Sequence, residues 1–295
     1  MTEKGSFGNN KFEVKRFKGE DDRSYEQRKR IVDKFAGVKL RLLVLSGKGG
    51  VGKSFVATNL AFTLSQMDYR VGLVDVDIHG PSIPKLMGLE GVKIEIKDNQ
   101  IMPVRYTDGL EVISIGFFMK GDDSVIWRGP MKAGAIRQFL GDVAWGDIDM
   151  LVVDSPPGTG DEPLSVAQLL LGARGSIVVT TPQDLSVGNV GRSVTFSRTV
   201  GMPVIGAVEN MSYMTCPHCG ERIELFPGRG ADTLYKEMGV PVIGRLPFKP
   251  EVVALADEGK LAVRDDDEFK IAFDGIAEKV IEYQRKIEGV RKKRE

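Results

Sequence analysis

An α/β fold, with a mostly parallel β-sheet covered by helices on both faces, is predicted by three observations. Apolar, β-branched runs recur between about residue 40 and 247, separated by segments able to carry helices. A glycine-rich stretch, Gly47-x-x-x-x-Gly52-Lys53-Ser54, sits between one such run and a helix-like run. The composition, 42% hydrophobic over 295 residues, suits one large core and includes no apolar stretch long enough to span a bilayer.

The elements follow in order. Residues 1–36 form a charged N-terminal extension, in which only Tyr25–Phe35 predicts a short helix. The strand candidates are Leu40–Leu45, Val71–Val76, Val112–Ile115, Met150–Val153, Ser176–Thr181, Val204–Val208 and Val242–Ile243. Phe55–Met67 is the helix after the first of them. Residues 37–265 are read as one core that carries every motif, and 266–295 as a C-terminal helix packed on it. That helix is amphipathic because Phe269, Phe273, Ile276, Val280, Tyr283 and Ile287 recur in steps of four and three.

Charge narrows the partners. Basic and acidic residues balance at 41 each, which predicts no nucleic-acid partner, and the C-terminal helix has a basic run only at Arg291–Arg294, which favours packing over membrane binding. Residues 1–30 do not resemble a signal peptide, so a cytoplasmic location is expected.

In open parallel sheets, ligands collect at the carboxyl ends of strands. After Leu45, Gly47, Gly49, Gly50 and Gly52 allow backbone N–H groups to face phosphate oxygens, and the following helix adds its positive end. The nucleotide is assigned to Gly47, Lys48, Gly49, Gly50, Val51, Gly52, Lys53, Ser54 and Phe55. Lys53 would meet the outer phosphates, and the Ser54 hydroxyl would be a magnesium ligand. From chemistry alone Lys48 is a surface lysine.

Three other strand ends are candidates. In Asp75-Val76-Asp77-Ile78-His79-Gly80-Pro81-Ser82, strand alternation would point Asp75 and Asp77 the same way. Asp77 is assigned to orient and deprotonate a water, Asp75 lies nearer the magnesium shell, and His79 is structural. Asp154, ending the fourth run, suits magnesium, while Gly158 in the Pro/Gly-rich loop after it could bring an N–H to the terminal phosphate. Asn210, expected in a turn after Val208, could match an adenine edge, with Arg245 and Pro247 also bordering the base. The nucleotide expected is ATP, and the reaction its slow hydrolysis.

Cys216-Pro217-His218-Cys219 contains the only two cysteines. Two thiols on a tight turn suit zinc or an iron-sulfur cluster, each of which wants about four protein ligands. The chain supplies half of that set, and a second copy across a two-fold axis would complete it as a homodimer. The residues leave zinc, iron-sulfur, and a redox-active or reducible dithiol open.

Taken together these motifs resemble the Mrp family of iron-sulfur cluster carrier ATPases, in the deviant P-loop NTPase group that also includes MinD and ParA. The resemblance rests on residues 47–54, 75–82, Trp127-Arg128-Gly129-Pro130-Met131, 154–161, Glu209-Asn210-Met211-Ser212 and the cysteine pair, and spans roughly residues 37–265. It implies that Lys48 is a signature lysine reaching a partner subunit's nucleotide. It also implies that Cys216 and Cys219 share a [4Fe-4S] cluster between subunits, for transfer to recipient apoproteins. Some relatives carry an N-terminal four-cysteine motif; here the first cysteine is Cys216, which implies a minimal carrier.

Overall fold

A computed structural model describes residues 14, 16, 19–119, 129–171, 174–184, 189–216, 218–225 and 237–292. Trp127, Arg128 and Pro217 lie outside the described residues.

The chain begins with α1 (Asp22–Lys34), whose N-cap Asp21 accepts a hydrogen bond from the Ser24 N–H. Then come β1 (Leu40–Ser46), α2 (Lys53–Gln66), β2 (Val71–Asp75) and the single turn α3 (Ile83–Leu86). A small hairpin, β3 (Ile96–Lys97) with β4 (Gln100–Ile101), precedes β5 (Val104–Thr107) and β6 (Leu110–Ser114). After α4 (Gly129–Asp142) follow β7 (Met150–Asp154), α5 (Asp161–Leu169), β8 (Arg174–Thr180), α6 (Asn189–Thr199), β9 (Val204–Thr215) and β10 (Arg222–Glu224). The chain closes with β11 (Val242–Pro247), α7 (Pro250–Asp257), α8 (Ala262–Asp265) and α9 (Asp267–Lys292).

The sheet runs β10-β9-β8-β1-β7-β2-β6-β5, with β11 paired to β9. Its centre is parallel, and β5 and β10 pair antiparallel to their neighbours. β1, β2 and β7 are buried along their whole length, which is why they read as continuous apolar runs rather than alternating ones. One face packs on α2 and α9, the other on α1, α4 and α5.

The order β1-β7-β2 positions the site. Register sets Val44 beside Asp154 and Asp154 beside Asp75, so the loop after β1 and the ends of β7 and β2 meet at one edge. α2 starts at that edge and is buried almost all round, because α9 covers the side that the sheet does not. On α9, Phe269, Phe273, Ile276 and Val280 are buried in the same cluster, each worth roughly 1.5–3 kcal/mol relative to exposure. Gly244 makes that contact possible: a Cβ there would lie 2.4 Å from Ile276.

Several boundaries differ from the expectation. The run Val204–Val208 continues to Thr215, because its second half gains partners in β10 and β11. Asn210 therefore sits within a strand and not in a turn after one. Arg245 and Pro247 likewise fall inside β11. The third run begins at Leu110, and Ile115 already belongs to a 3-10 turn. β2 ends at Asp75, so alternation does not govern Asp77.

Candidate functional site

The loop between β1 and α2 carries its chemistry in its backbone. Gly50 and Gly52 have φ of 78° and 84°, the left-handed region that turns consecutive N–H groups into an anion-binding concavity. At Gly52 a Cβ would also lie 2.2 Å from the Asn210 Nδ2 atom. That amide donates to the Val51 carbonyl at 3.0 Å, so Asn210 braces the loop from β9. Lys48 stands on the exposed side of the loop.

Lys53, the first residue of α2, is buried, and its ammonium lies 2.5 Å from the Asp154 Oδ1 atom. The Ser54 hydroxyl donates to the other oxygen of the same carboxylate. Burial is the largest influence on Asp154 and pushes its carboxyl upward, against the pull of Lys53 and Ser54. Asp77 lies 3.8 Å from the Lys53 ammonium and accepts from the His79 N–H at 3.2 Å. His79, read as structural, reaches Glu162 on α5 at 3.2 Å through its Nε2 atom.

Asp75 behaves differently from the expectation. It is fully buried, and its oxygens accept from the Ser114 hydroxyl at 2.9 Å and from the N–H groups of Asp77 (3.0 Å) and Ile83 (3.4 Å). Its bonds shape the 75–83 loop instead of opening toward a metal shell. Burial, reinforced by Asp154 and opposed by Lys53, pushes its carboxyl up to about 7. Gly158 is a second correction. Its N–H donates to the Ser46 carbonyl at 2.9 Å, which folds the loop back onto β1 and withdraws that donor from a phosphate.

Beside Gly52 opens a cavity of about 290 Å³. Its lining includes Phe55, Leu86, Asn210, Pro247, Phe248 and Phe269, an apolar slot with one amide, which suits a flat heteroaromatic base. Phe55 is held there edge-on by Phe269 at 5.7 Å between centroids. Arg245 is not among the lining residues. Its guanidinium lies 3.5 Å from Glu209 on β9. Ser82, Lys85 and Lys249 also line the cavity without any signal in their local sequence, since α3 and α7 reach it only through tertiary packing.

Cys216 and Cys219 occupy the connection between β9 and β10, where the Cys216 N–H donates to Glu221 and the Gly220 N–H to Cys216. Both thiols are free. The backbone N–H groups of Cys219 and His218, and then the Cys219 thiol, hold the Cys216 thiol below its ordinary range. A turn that favours thiolate at its surface suits a soft metal ion or an iron-sulfur cluster. Among the described residues no group of three or more His, Cys, Asp or Glu is placed to hold a metal, so the hairpin offers two ligands. His218 is exposed.

The iron-sulfur cluster carrier protein of Methanocaldococcus jannaschii is 42% identical over 260 residues, 86% of this chain and 90% of that protein. The cytosolic Fe-S cluster assembly factor Nubp2 homolog of Aedes aegypti is 49% identical over 234 residues, covering 77% and 90%. A solved nucleotide-binding protein of Archaeoglobus fulgidus, in complex with ADP, superposes with a TM-score of 0.72 at 38% identity, over 83% of this chain and 96% of that one. Residues 37–281 match the family model described as ParA, NUBPL iron-transfer P-loop NTPase, and the chain belongs to that family.

Proposed function

We infer that this chain carries iron-sulfur clusters to recipient apoproteins and gates that traffic by binding and hydrolysing ATP. The observation that supports it most is the pair of free thiols, one amide-stabilised, on an exposed hairpin of a nucleotide-binding fold. A nucleotide-switched positioning ATPase has no use for that hairpin.

In this reading the loop amides and Lys53 take the outer phosphates, and the slot beside Gly52 takes the adenine. Asp77, 3.8 Å from the Lys53 ammonium, orients the attacking water and accepts its proton as the bond to the terminal phosphate is broken. The oxygens of Ser54 and Asp154 are hard donors of the kind magnesium takes, and fit that ion together with water. Bound there, magnesium would offset phosphate charge. Lys48, on the exposed side of the loop, reaches the nucleotide of a second copy. Two hairpins meeting on a two-fold axis supply the four thiolates of a [4Fe-4S] cargo. No described helix is long and apolar enough to cross a membrane, and the proposed site of action is the cytoplasm.

The test is iron, zinc and acid-labile sulfide per dimer on anaerobically purified protein, before and after reconstitution, beside Cys216→Ala. About four iron and four sulfide, lost in the variant while nucleotide binding persists, is expected. About one zinc and no sulfide uptake would replace the carrier reading with a zinc-stapled dimer.

A further inference from the structure

The nucleotide slot and the cysteine hairpin share one strand. β9 braces the phosphate loop at Asn210, lines the slot at Met211 and delivers the chain to Cys216. Between them stands Tyr213. Its hydroxyl donates to the Glu268 Oε1 atom at 2.8 Å, and the other Glu268 oxygen lies 2.8 Å from the Lys249 ammonium. Lys249 in turn lines the slot, anchored by Asp266 at 2.7 and 2.9 Å. On the hairpin side, the Arg222 guanidinium stacks 3.5 Å from the centroid of the Tyr213 ring. Arg222 is the third residue after Cys219. The Tyr213 carbonyl also accepts from the Phe248 N–H at 2.6 Å, and Phe248 is another wall of the slot.

Two features make this a connection able to move. Met211, two residues before Tyr213, has φ of 54°, a left-handed conformation that costs a side-chain-bearing residue energy and is released by a small change in strand path. The polar contacts of Tyr213 and Lys249 also keep their character near neutral pH. Burial, then Glu268, raises the Tyr213 hydroxyl, so it stays a donor. Burial opposes the charge on Lys249, but Asp266 and Glu268 outweigh it and hold the ammonium.

We propose that Tyr213, through Glu268 and Lys249, is the positioning residue by which occupancy of the nucleotide slot is transmitted to the Cys216/Cys219 hairpin. A base entering the slot meets Lys249, Phe248 and Met211 together, and each is tied to Tyr213 directly or within two contacts. The hairpin root then shifts with them. The proposal rests on the carrier reading for its purpose, but its test requires no cluster.

The two cysteines are the only ones in the chain, so their rate of alkylation by a maleimide on metal-free protein reports the hairpin alone. That rate is measured without nucleotide, with ADP and with a non-hydrolysable ATP analogue, each at saturation. In the wild type at least one nucleotide should change it by about fivefold or more, the low end of coupling between sites. Tyr213→Phe keeps the ring and removes the hydroxyl. It should shrink the change to less than about twofold while nucleotide affinity stays within about twofold, since one uncharged donor is lost. Glu268→Gln, whose single amide oxygen cannot accept from Tyr213 and Lys249 together, should also shrink the effect. A full nucleotide effect in Tyr213→Phe, or none in the wild type, would overturn the link. Iron and sulfide content judges the carrier reading separately.

Discussion

The nucleotide loop and the cysteine hairpin are opposites in how the fold finishes them. Behind the loop the polar partners come from one chain and sit at its buried base: Lys53 against Asp154, Ser54 on the same carboxylate, Asn210 bracing from a third strand. The hairpin is a surface turn with two thiols and no third ligand among the described residues. Charges in a low-dielectric setting need partners fixed in advance, so the loop must be complete before its ligand arrives. Thiols at the surface are solvated and can wait for a second copy and a cargo. Most of nucleotide binding should therefore belong to the single chain, with only Lys48 arriving from a second copy, whereas metal or cluster holding belongs to the assembly.

The comparison is broken hardest at Lys53. Lys53→Ala removes the cation shared by the ligand and three carboxylates, and should weaken nucleotide binding on the order of 1000-fold by calorimetry, the scale of truncating a buried charge pair. The hairpin should still take up iron and sulfide or zinc to the wild-type level. Loss of both capacities would mean that the two regions are not separately built. Next in size is Asp77→Asn, which should slow hydrolysis about 100-fold in a phosphate-release assay, with nucleotide affinity little changed. Normal turnover would remove the water-activating role from Asp77.

The smallest effect is on stability against pH. The native Asp75 carboxyl lies near 7, above its ordinary 3.8, so the folded chain holds that proton more tightly than the unfolded one. The corresponding stability is present below the unfolded value and is lost as pH rises through the folded one. Chemical denaturation of nucleotide-free protein should therefore show stability falling between about pH 4 and 7 and levelling off above that, by on the order of a few kcal/mol. Asp75→Asn should flatten that slope. An equal slope in the variant would assign it to other groups.

Much of the fold was legible because parallel central strands, buried on both faces, have to be apolar throughout. Leu40–Leu45, Val71–Val76 and Met150–Val153 each fall within a residue or two of a real strand for that reason. The phosphate loop was legible because positive φ at Gly50 and Gly52 leaves a glycine signature that few other demands produce. Edge and extension were not. The continuation of β9 through Asn210 to Thr215 depends on pairing with β10 and β11, distant partners that no local pattern announces.

The same division holds residue by residue. Sequence pattern alone specified seven of the strands, the phosphate loop with Lys53 and Ser54, the aspartate ending β7, and the presence of two thiols in one turn. These depend on local conformation and short-range chemistry. Packing between distant elements set Asp75 as a buried strut with Asp77 beside Lys53, turned the Gly158 N–H to Ser46, and lined the slot with Pro247 and Lys249 rather than Arg245. It also decided that Tyr213 joins Glu268, a residue of the C-terminal helix. Burial and partnership are set by which elements come to lie side by side, and that depends on the whole sheet.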